Sequence, residues 1–154
     1  MKAIPTDRTI ALEELVAAPS SALFAGPPGS GKMQAAREIA STLGVDLRRV
    51  DLGQLVGRNI GETEKNIDAL FDTAAQDGAV LIFDEADAVF GKRTEVRDAH
   101  DRYANIEVDY LLARIEAHPG AAIVTTHRRE NLDPAFVRRL RAVIVFQRPI
   151  DPRT

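Results

Sequence analysis

The chain has 154 residues, of which 45% are hydrophobic and 28% charged, so it is long enough for one soluble domain with one sizeable core. Its net charge of −3 argues against general attraction to nucleic acid or acidic lipid. The absence of cysteine excludes disulfides, zinc–thiolate sites and cysteine nucleophiles. No apolar run approaches the ~20 residues of a membrane span, and charges interrupt the N-terminus. We therefore expect a soluble, cytoplasmic protein without nucleic-acid or membrane partners.

Apolar runs and helical spacings alternate along the chain. Residues 1–20 predict a short lead-in with one weak helical stretch, and Gly44 stands where a helix C-cap is expected. Strands that alternate with helices of this length predict a parallel sheet between helical layers. A charged segment at 91–102 predicts a mobile loop. The predicted strands are 22–25, 46–52, 79–83, 121–126 and 142–146, and the predicted helices are 10–17, 33–43, 62–76 and 106–116.

A glycine-rich segment lies between the first predicted strand and the helix after it. It reads Gly26-Pro27-Pro28-Gly29-Ser30-Gly31-Lys32, and this context makes the pattern G-x-x-x-x-G-K credible. Glycines allow backbone N–H groups to converge on phosphate oxygens, and the following helix adds its positive N-terminal end. The alternative is an ordinary glycine-rich turn. We predict a cradle for ATP or a close relative at residues 26–33, with Lys32 reaching the β- and γ-phosphates.

The residue after the lysine departs from this pattern. The motif requires Ser or Thr there, because the hydroxyl is a direct Mg²⁺ ligand. Here the position holds Met33, whose thioether is a poor partner for a hard cation. We expect phosphate binding to survive this change better than metal-assisted hydrolysis, and the sequence therefore predicts ATP as ligand with an incomplete Mg²⁺ site.

Two carboxylates follow the apolar run 80–83. The carboxyl edge of a parallel sheet is where ligands bind in such folds, so Asp84 and Glu85 are expected beside the phosphate loop. Asp84 is predicted to hold Mg²⁺ through water, and Glu85 to polarise the attacking water. The alternative is that either acid caps a helix. Asp87 is expected to be a solvated or capping acid.

Together these residues resemble the AAA+ ATPases, a branch of the P-loop nucleotide-binding proteins. The match covers Ser21 to about Phe146 and rests on segments in the order and spacing of that family. The stretch 98–108 looks like a bacterial branch of single-module AAA proteins. The four segments are GPPGSGK, IGETEKN at 60–66, LIFDEADAVFGKR at 81–93 and LDPAFVRRLR at 132–141.

The resemblance implies a three-layer αβα fold with a five-stranded parallel sheet in the order 5-1-4-3-2. It implies a nucleotide-binding core at 21–154 without the family's helical lid, and homo-oligomeric rings with ATP at subunit interfaces. Arg138 and Arg141 match two arginines that reach the neighbouring subunit's γ-phosphate; from the residues alone, a solvated basic helix end is the alternative. His127 stands where the family has an Asn that orients the lytic water, or it is simply an exposed strand-end histidine.

The departures leave more than one function open. A loop that grips a threaded polypeptide in many relatives carries an aromatic residue, but here it reads Asn59-Ile60-Gly61, which puts threading in doubt. One hypothesis is an ATPase that remodels a protein partner. The other is an assembly module that nucleotide stabilises with little or no turnover. A helicase is a third, because 84–87 spells DEAD, but such helicases need two domains of this kind. The protein partner, ring size and base preference stay open.

Overall fold

The computed structural model describes residues 11–84, 86–91 and 106–147. Most of the predicted mobile loop, most of the stretch that resembles the bacterial branch, and Glu85 lie outside these residues.

Five parallel strands form one sheet in the spatial order β2-β3-β4-β1-β5. This is the predicted order read from the other edge, and the predicted fold class is confirmed. The strand that precedes the phosphate loop, β1, lies between β4 and β5. The strands are β1 Ser21–Ala25, β2 Leu47–Val50, β3 Val80–Phe83, β4 Ala122–Thr126 and β5 Ala142–Val145.

Seven α-helices surround the sheet in the part of the chain that the structure describes. As predicted, Gly44 closes α2 in the left-handed conformation, with φ 71°. None of these helices is long and apolar enough to cross a membrane. The helices are α1 Leu12–Ala17, α2 Lys32–Leu43, α3 Leu52–Leu55, α4 Glu62–Asp77, α5 Asp87–Phe90, α6 Val108–Ala117 and α7 Pro134–Arg139.

The predicted second strand is wrong at its C-terminal end. Strand β2 stops at Val50, and Leu52 begins the short helix α3. The Asp51 side chain accepts a hydrogen bond from the Gly53 N–H at 2.9 Å and caps this helix. An Asx cap therefore overrides the apolar pattern that extended the strand to Leu52.

Each face of the sheet carries its own apolar cluster. Along β1, Leu23 and Ala25 belong to the cluster that contains residues of α4 and α6, whereas Ala22 and Phe24 belong to the cluster that contains residues of α2. Every residue of β1, β3 and β4 is buried. The central strands are thus covered on both faces, which gives the three layers and a stiff platform for the loops at its carboxyl edge.

Candidate nucleotide site

The phosphate loop is anchored to both strands that flank β1. The Gly26 N–H donates to the Thr126 carbonyl at the end of β4, with an N···O distance of 3.1 Å. On the other side, the Phe146 N–H donates to the Ala25 carbonyl at 2.7 Å. The loop therefore leaves the sheet from its carboxyl edge at a position that neighbouring strands hold in place.

The glycines of the loop serve two different needs. A Cβ at Gly26 would lie 2.5 Å from the Phe146 carbonyl oxygen, so this position has no room for a side chain. Gly29 and Gly31 instead adopt φ values of 78° and 99°, and nothing lies within 4 Å of a Cβ added at either. These two glycines supply left-handed backbone turns on an open surface, the conformation in which N–H groups of a loop form an anion-binding concavity.

Lys32 folds into this loop. Its Nζ donates to the carbonyl of Gly26 and approaches the Pro27 carbonyl at 3.4 Å and the Thr126 carbonyl at 3.5 Å. Burial lowers the pKa of the ammonium, and the carboxylates of Asp84 and Asp87 oppose that effect. The lysine thus lies near both acids and places a positive charge at the loop.

The residues present fit a nucleotide phosphate group. The Ser30 hydroxyl oxygen is buried and has no hydrogen-bond partner among the described residues. A phosphate oxygen in the loop would supply the missing partner for such a buried polar atom. The left-handed glycines, the lysine ammonium and this hydroxyl are therefore groups that suit a polyanion.

Met33 contributes packing instead of an oxygen. Its side chain is half-buried and packs against the apolar cluster on the α2 face of the sheet. Within the described residues, no three His, Cys, Asp or Glu side chains form a group that could hold a metal ion. Among the described residues, Asp84 is the predicted holder of a magnesium ion, with substrate phosphates and water as the other ligands.

Asp84 directly follows β3 and uses both of its carboxylate oxygens. Oδ1 accepts a hydrogen bond from the Thr125 hydroxyl at 2.6 Å. Oδ2 accepts one from the Arg49 guanidinium at 2.8 Å. Sequence reasoning did not identify Arg49. The only signal was its place near the end of the predicted second strand, which a parallel sheet can bring beside the third.

Asp87 is neither fully solvated nor a helix cap. It is half-buried at the start of α5, where the structure shows no side-chain cap hydrogen bond, and its Oδ2 accepts from the Asn131 amide at 3.0 Å. Its Oδ1 is buried without a partner in the described part of the chain. Asp87 is thus an acid in the first turn of α5 that is partly solvated and close enough to Lys32 for their charges to interact.

His127 follows β4 at the same edge of the sheet. Its side chain is exposed and makes no hydrogen bond or ion pair with the described residues. The preceding residue, Thr126, binds the phosphate loop through its carbonyl. His127 is thus near the nucleotide site by position, and its water-orienting role stays a prediction, as does the role of Glu85.

The three arginines around the end of α7 differ in their surroundings. Arg139 donates to Glu116 at 2.7 Å and lies 3.4 Å from Asp109, and its bond with Glu116 raises its pKa. The side chains of Arg138 and Arg141 are exposed and form no ion pair with the residues that the structure describes. One arginine of the cluster is therefore bound within the chain, and two are left facing solvent.

The sheet order and the glycine–lysine loop between β1 and α2 define the class: a P-loop nucleotide-binding fold. The model of the family described as "ATPase family associated with various cellular activities (AAA)" matches residues 22–148. The chain belongs to this family.

Curated relatives agree with this assignment. The chain is 37% identical over 131 residues to an uncharacterized AAA family ATPase, y4kL, of Sinorhizobium fredii, which covers 84% of this chain and 39% of that protein. It is 32% identical to proteasome-activating nucleotidase 1 of Haloferax volcanii, with 88% of this chain and 35% of the relative covered. It is 28% identical to spastin of Ixodes scapularis, with coverages of 90% and 22%. The chain therefore spans well under half the length of these relatives.

A solved structure has the same fold. It is described as the structure of an E. coli MS115-1 HORMA:CdnC:Trip13 complex, and the matched chain has a TM-score of 0.65 and 26% sequence identity. The match covers 86% of this chain and 49% of that chain.

Proposed function

We propose that residues 21–154 act as a core that binds ATP in the loop 26–33 and hydrolyses it at interfaces between identical subunits, to remodel a protein partner. The observation that carries the binding step is Lys32, which lies inside the loop with Asp84 and Asp87 near it. The relatives support the nucleotide and the partner class, since one is a proteasome-activating nucleotidase and the solved match is a complex of several proteins.

The interface is proposed from the arginines. Because Arg138 and Arg141 are exposed without an ion pair among the described residues, they are available to a phosphate group on a second subunit. In the receiving subunit, Glu85 would polarise the attacking water and His127 would help to orient it. Bound Mg²⁺ would neutralise charge on the phosphates, and Asp84 would hold it through water.

ATP binding and turnover measured together, at several protein concentrations, test this function. We expect turnover that requires Mg²⁺, rises more than linearly with protein concentration and disappears in Glu85→Gln, because each site needs residues of two subunits. Binding that persists in Glu85→Gln shows that the variant is folded. A wild-type chain that binds no nucleotide would refute the proposal.

A second function is favoured by Met33 and its packing. The half-buried Met33 side chain offers the metal no oxygen, and both carboxylate oxygens of Asp84 already accept hydrogen bonds. The alternative is therefore a nucleotide-stabilised assembly module with weak turnover or none. It predicts nucleotide-dependent oligomers, seen by light scattering, in a chain whose turnover is the same with and without Mg²⁺.

Replacing Met33 with threonine separates the two functions. If the remaining site is competent, the new hydroxyl raises Mg²⁺-dependent turnover by roughly tenfold or more, as expected for a restored metal contact. Loss of the packed thioether should destabilise the fold by about 1 kcal/mol, measured by thermal unfolding. Met33→Val is the matched control, because it has the shape of threonine without the hydroxyl. Equal turnover in the two variants would mean that the missing hydroxyl at position 33 is not what limits turnover.

A further inference from the structure

Asp84 is held by an arginine that enters from the edge strand of the sheet. The Arg49 Nη2 to Asp84 Oδ2 distance is 2.8 Å, and the side chains are 65% and 29% exposed. An ion pair with this much exposure is weak enough to open, because water screens the two charges. The pair therefore constrains Asp84 without closing the site to other cations.

The sheet register explains why these two residues meet. Arg49 of β2 lies opposite Ile82 of β3, and Asp84 follows Ile82 by two positions, so all three fall on the same face of the sheet. On that face, Leu47 packs against the cluster that contains residues of α2. Arg49 thus lies on the same side of the sheet as α2, the helix that follows the phosphate loop.

The neighbouring arginine lies on the other face. Arg48 donates to Asp77, the last residue of α4, at 2.5 Å and is only 4.0 Å from Asp46. Arg48 and Arg49 therefore carry the same charge at adjacent positions, but only Arg49 reaches the acid of the nucleotide site.

We propose that Arg49 is a positioning residue that competes with Mg²⁺ for the Asp84 carboxylate, so that nucleotide binding by this chain depends only weakly on the metal. A divalent cation at Asp84 has to displace the Arg49 guanidinium or share the carboxylate with it, and the charge of the guanidinium is permanent. Met33 provides no oxygen that would offset this competition. The inference rests on the proposed nucleotide binding and concerns how the same site is regulated.

The affinity of a fluorescent ADP analogue, measured in EDTA and in saturating Mg²⁺, tests the competition without any turnover. The quantity of interest is the dissociation constant in EDTA divided by the dissociation constant in Mg²⁺. We expect this ratio to increase roughly two- to fivefold in Arg49→Gln, because the carboxylate is released for the metal. The matched control Arg48→Gln, which removes an equal charge from the opposite face, should leave the ratio unchanged.

A double-mutant cycle with Asp84→Asn isolates the route of the effect. If Arg49 acts through Asp84, Arg49→Gln should change the metal ratio in the wild-type background and not in Asp84→Asn. Arg49→Lys, which keeps the charge and loses the planar fork, should fall between wild type and Arg49→Gln.

The remaining outcomes contradict the proposal in distinguishable ways. An unchanged or lower ratio in Arg49→Gln overturns the competition while nucleotide binding stands. Weaker binding of Arg49→Gln in EDTA would mean that Arg49 contacts the phosphates, which also overturns it. If the wild-type chain binds no nucleotide in either condition, the proposed function fails and the inference fails with it.

Discussion

Replacing Arg138 and Arg141 together with alanine should reduce ATP turnover by about 10³-fold or more while nucleotide affinity stays within a few-fold of wild type. Arginines that reach a transferring phosphoryl group from another subunit stabilise its transition-state charge, and comparable arginines contribute about 10³–10⁵ in rate. Both side chains are exposed and form no ion pair with the described residues, so their removal should cost the fold little. Steady-state turnover and equilibrium nucleotide binding are the two measurements.

The matched control is Arg139→Ala. Arg139 is bound to Glu116 and Asp109 within its own subunit, so its loss should lower thermal stability slightly and leave turnover nearly unchanged. If Arg139→Ala abolished turnover and the double variant did not, the assignment of the arginines would be wrong.

Mixing two inactive variants tests whether the arginines act across an interface. Glu85→Gln keeps the arginines and lacks the acid, whereas the Arg138→Ala, Arg141→Ala variant keeps the acid and lacks the arginines. Mixed oligomers contain interfaces in which one subunit supplies each part, so turnover should recover on mixing. No recovery in a mixture that demonstrably co-assembles would mean that the arginines act within their own subunit.

Lys32→Ala is expected to weaken ATP binding by about 10- to 100-fold, because it removes a charge-assisted contact worth roughly 1.5–3 kcal/mol. The ammonium lies within hydrogen-bonding reach of carbonyls in the loop and at the end of β4, so the variant should also be modestly less stable. Equilibrium binding and thermal unfolding separate these two effects.

Lys65→Ala serves as the charge-matched control, since Lys65 is an exposed lysine on α4. It should bind ATP as tightly as wild type. Equal affinities of Lys32→Ala and wild type would show that the ammonium does not contact the phosphates, and would contradict the proposed mode of binding.

The elements that could be predicted from sequence are those in which buried residues make a clear apolar pattern. Strand β3 is a continuous apolar run because helices cover both faces of the sheet, and Gly44 marks the end of α2 because only glycine adopts its conformation easily. The strand order came from the family resemblance and not from the spacing of residues.

What could not be predicted depends on contacts between distant positions. The Arg49–Asp84 pair joins residues 35 positions apart and requires the register of two strands. Arg139 likewise differs from the neighbouring arginines because it binds Glu116, which is 23 positions away on α6. The roles of Glu85, His127, Arg138 and Arg141 are chemical predictions that geometry alone does not test.

The backbone of Arg141 is hydrogen-bonded to the strand that leads into the nucleotide loop of the same subunit. Its N–H donates to the Ser21 carbonyl and lies 3.0 Å from the Ser21 hydroxyl oxygen, at the amino end of β1, and the other end of the same strand leads into Gly26. The five residues of β1 span about 16 Å and are buried throughout, so the strand behaves as a stiff rod. In a ring, each subunit would therefore receive nucleotide at one end of this rod and present an arginine to its neighbour from the other. In the proposed ring, β1 would thus link the nucleotide of each subunit to the arginine that it presents, as a buried strand paired on both sides.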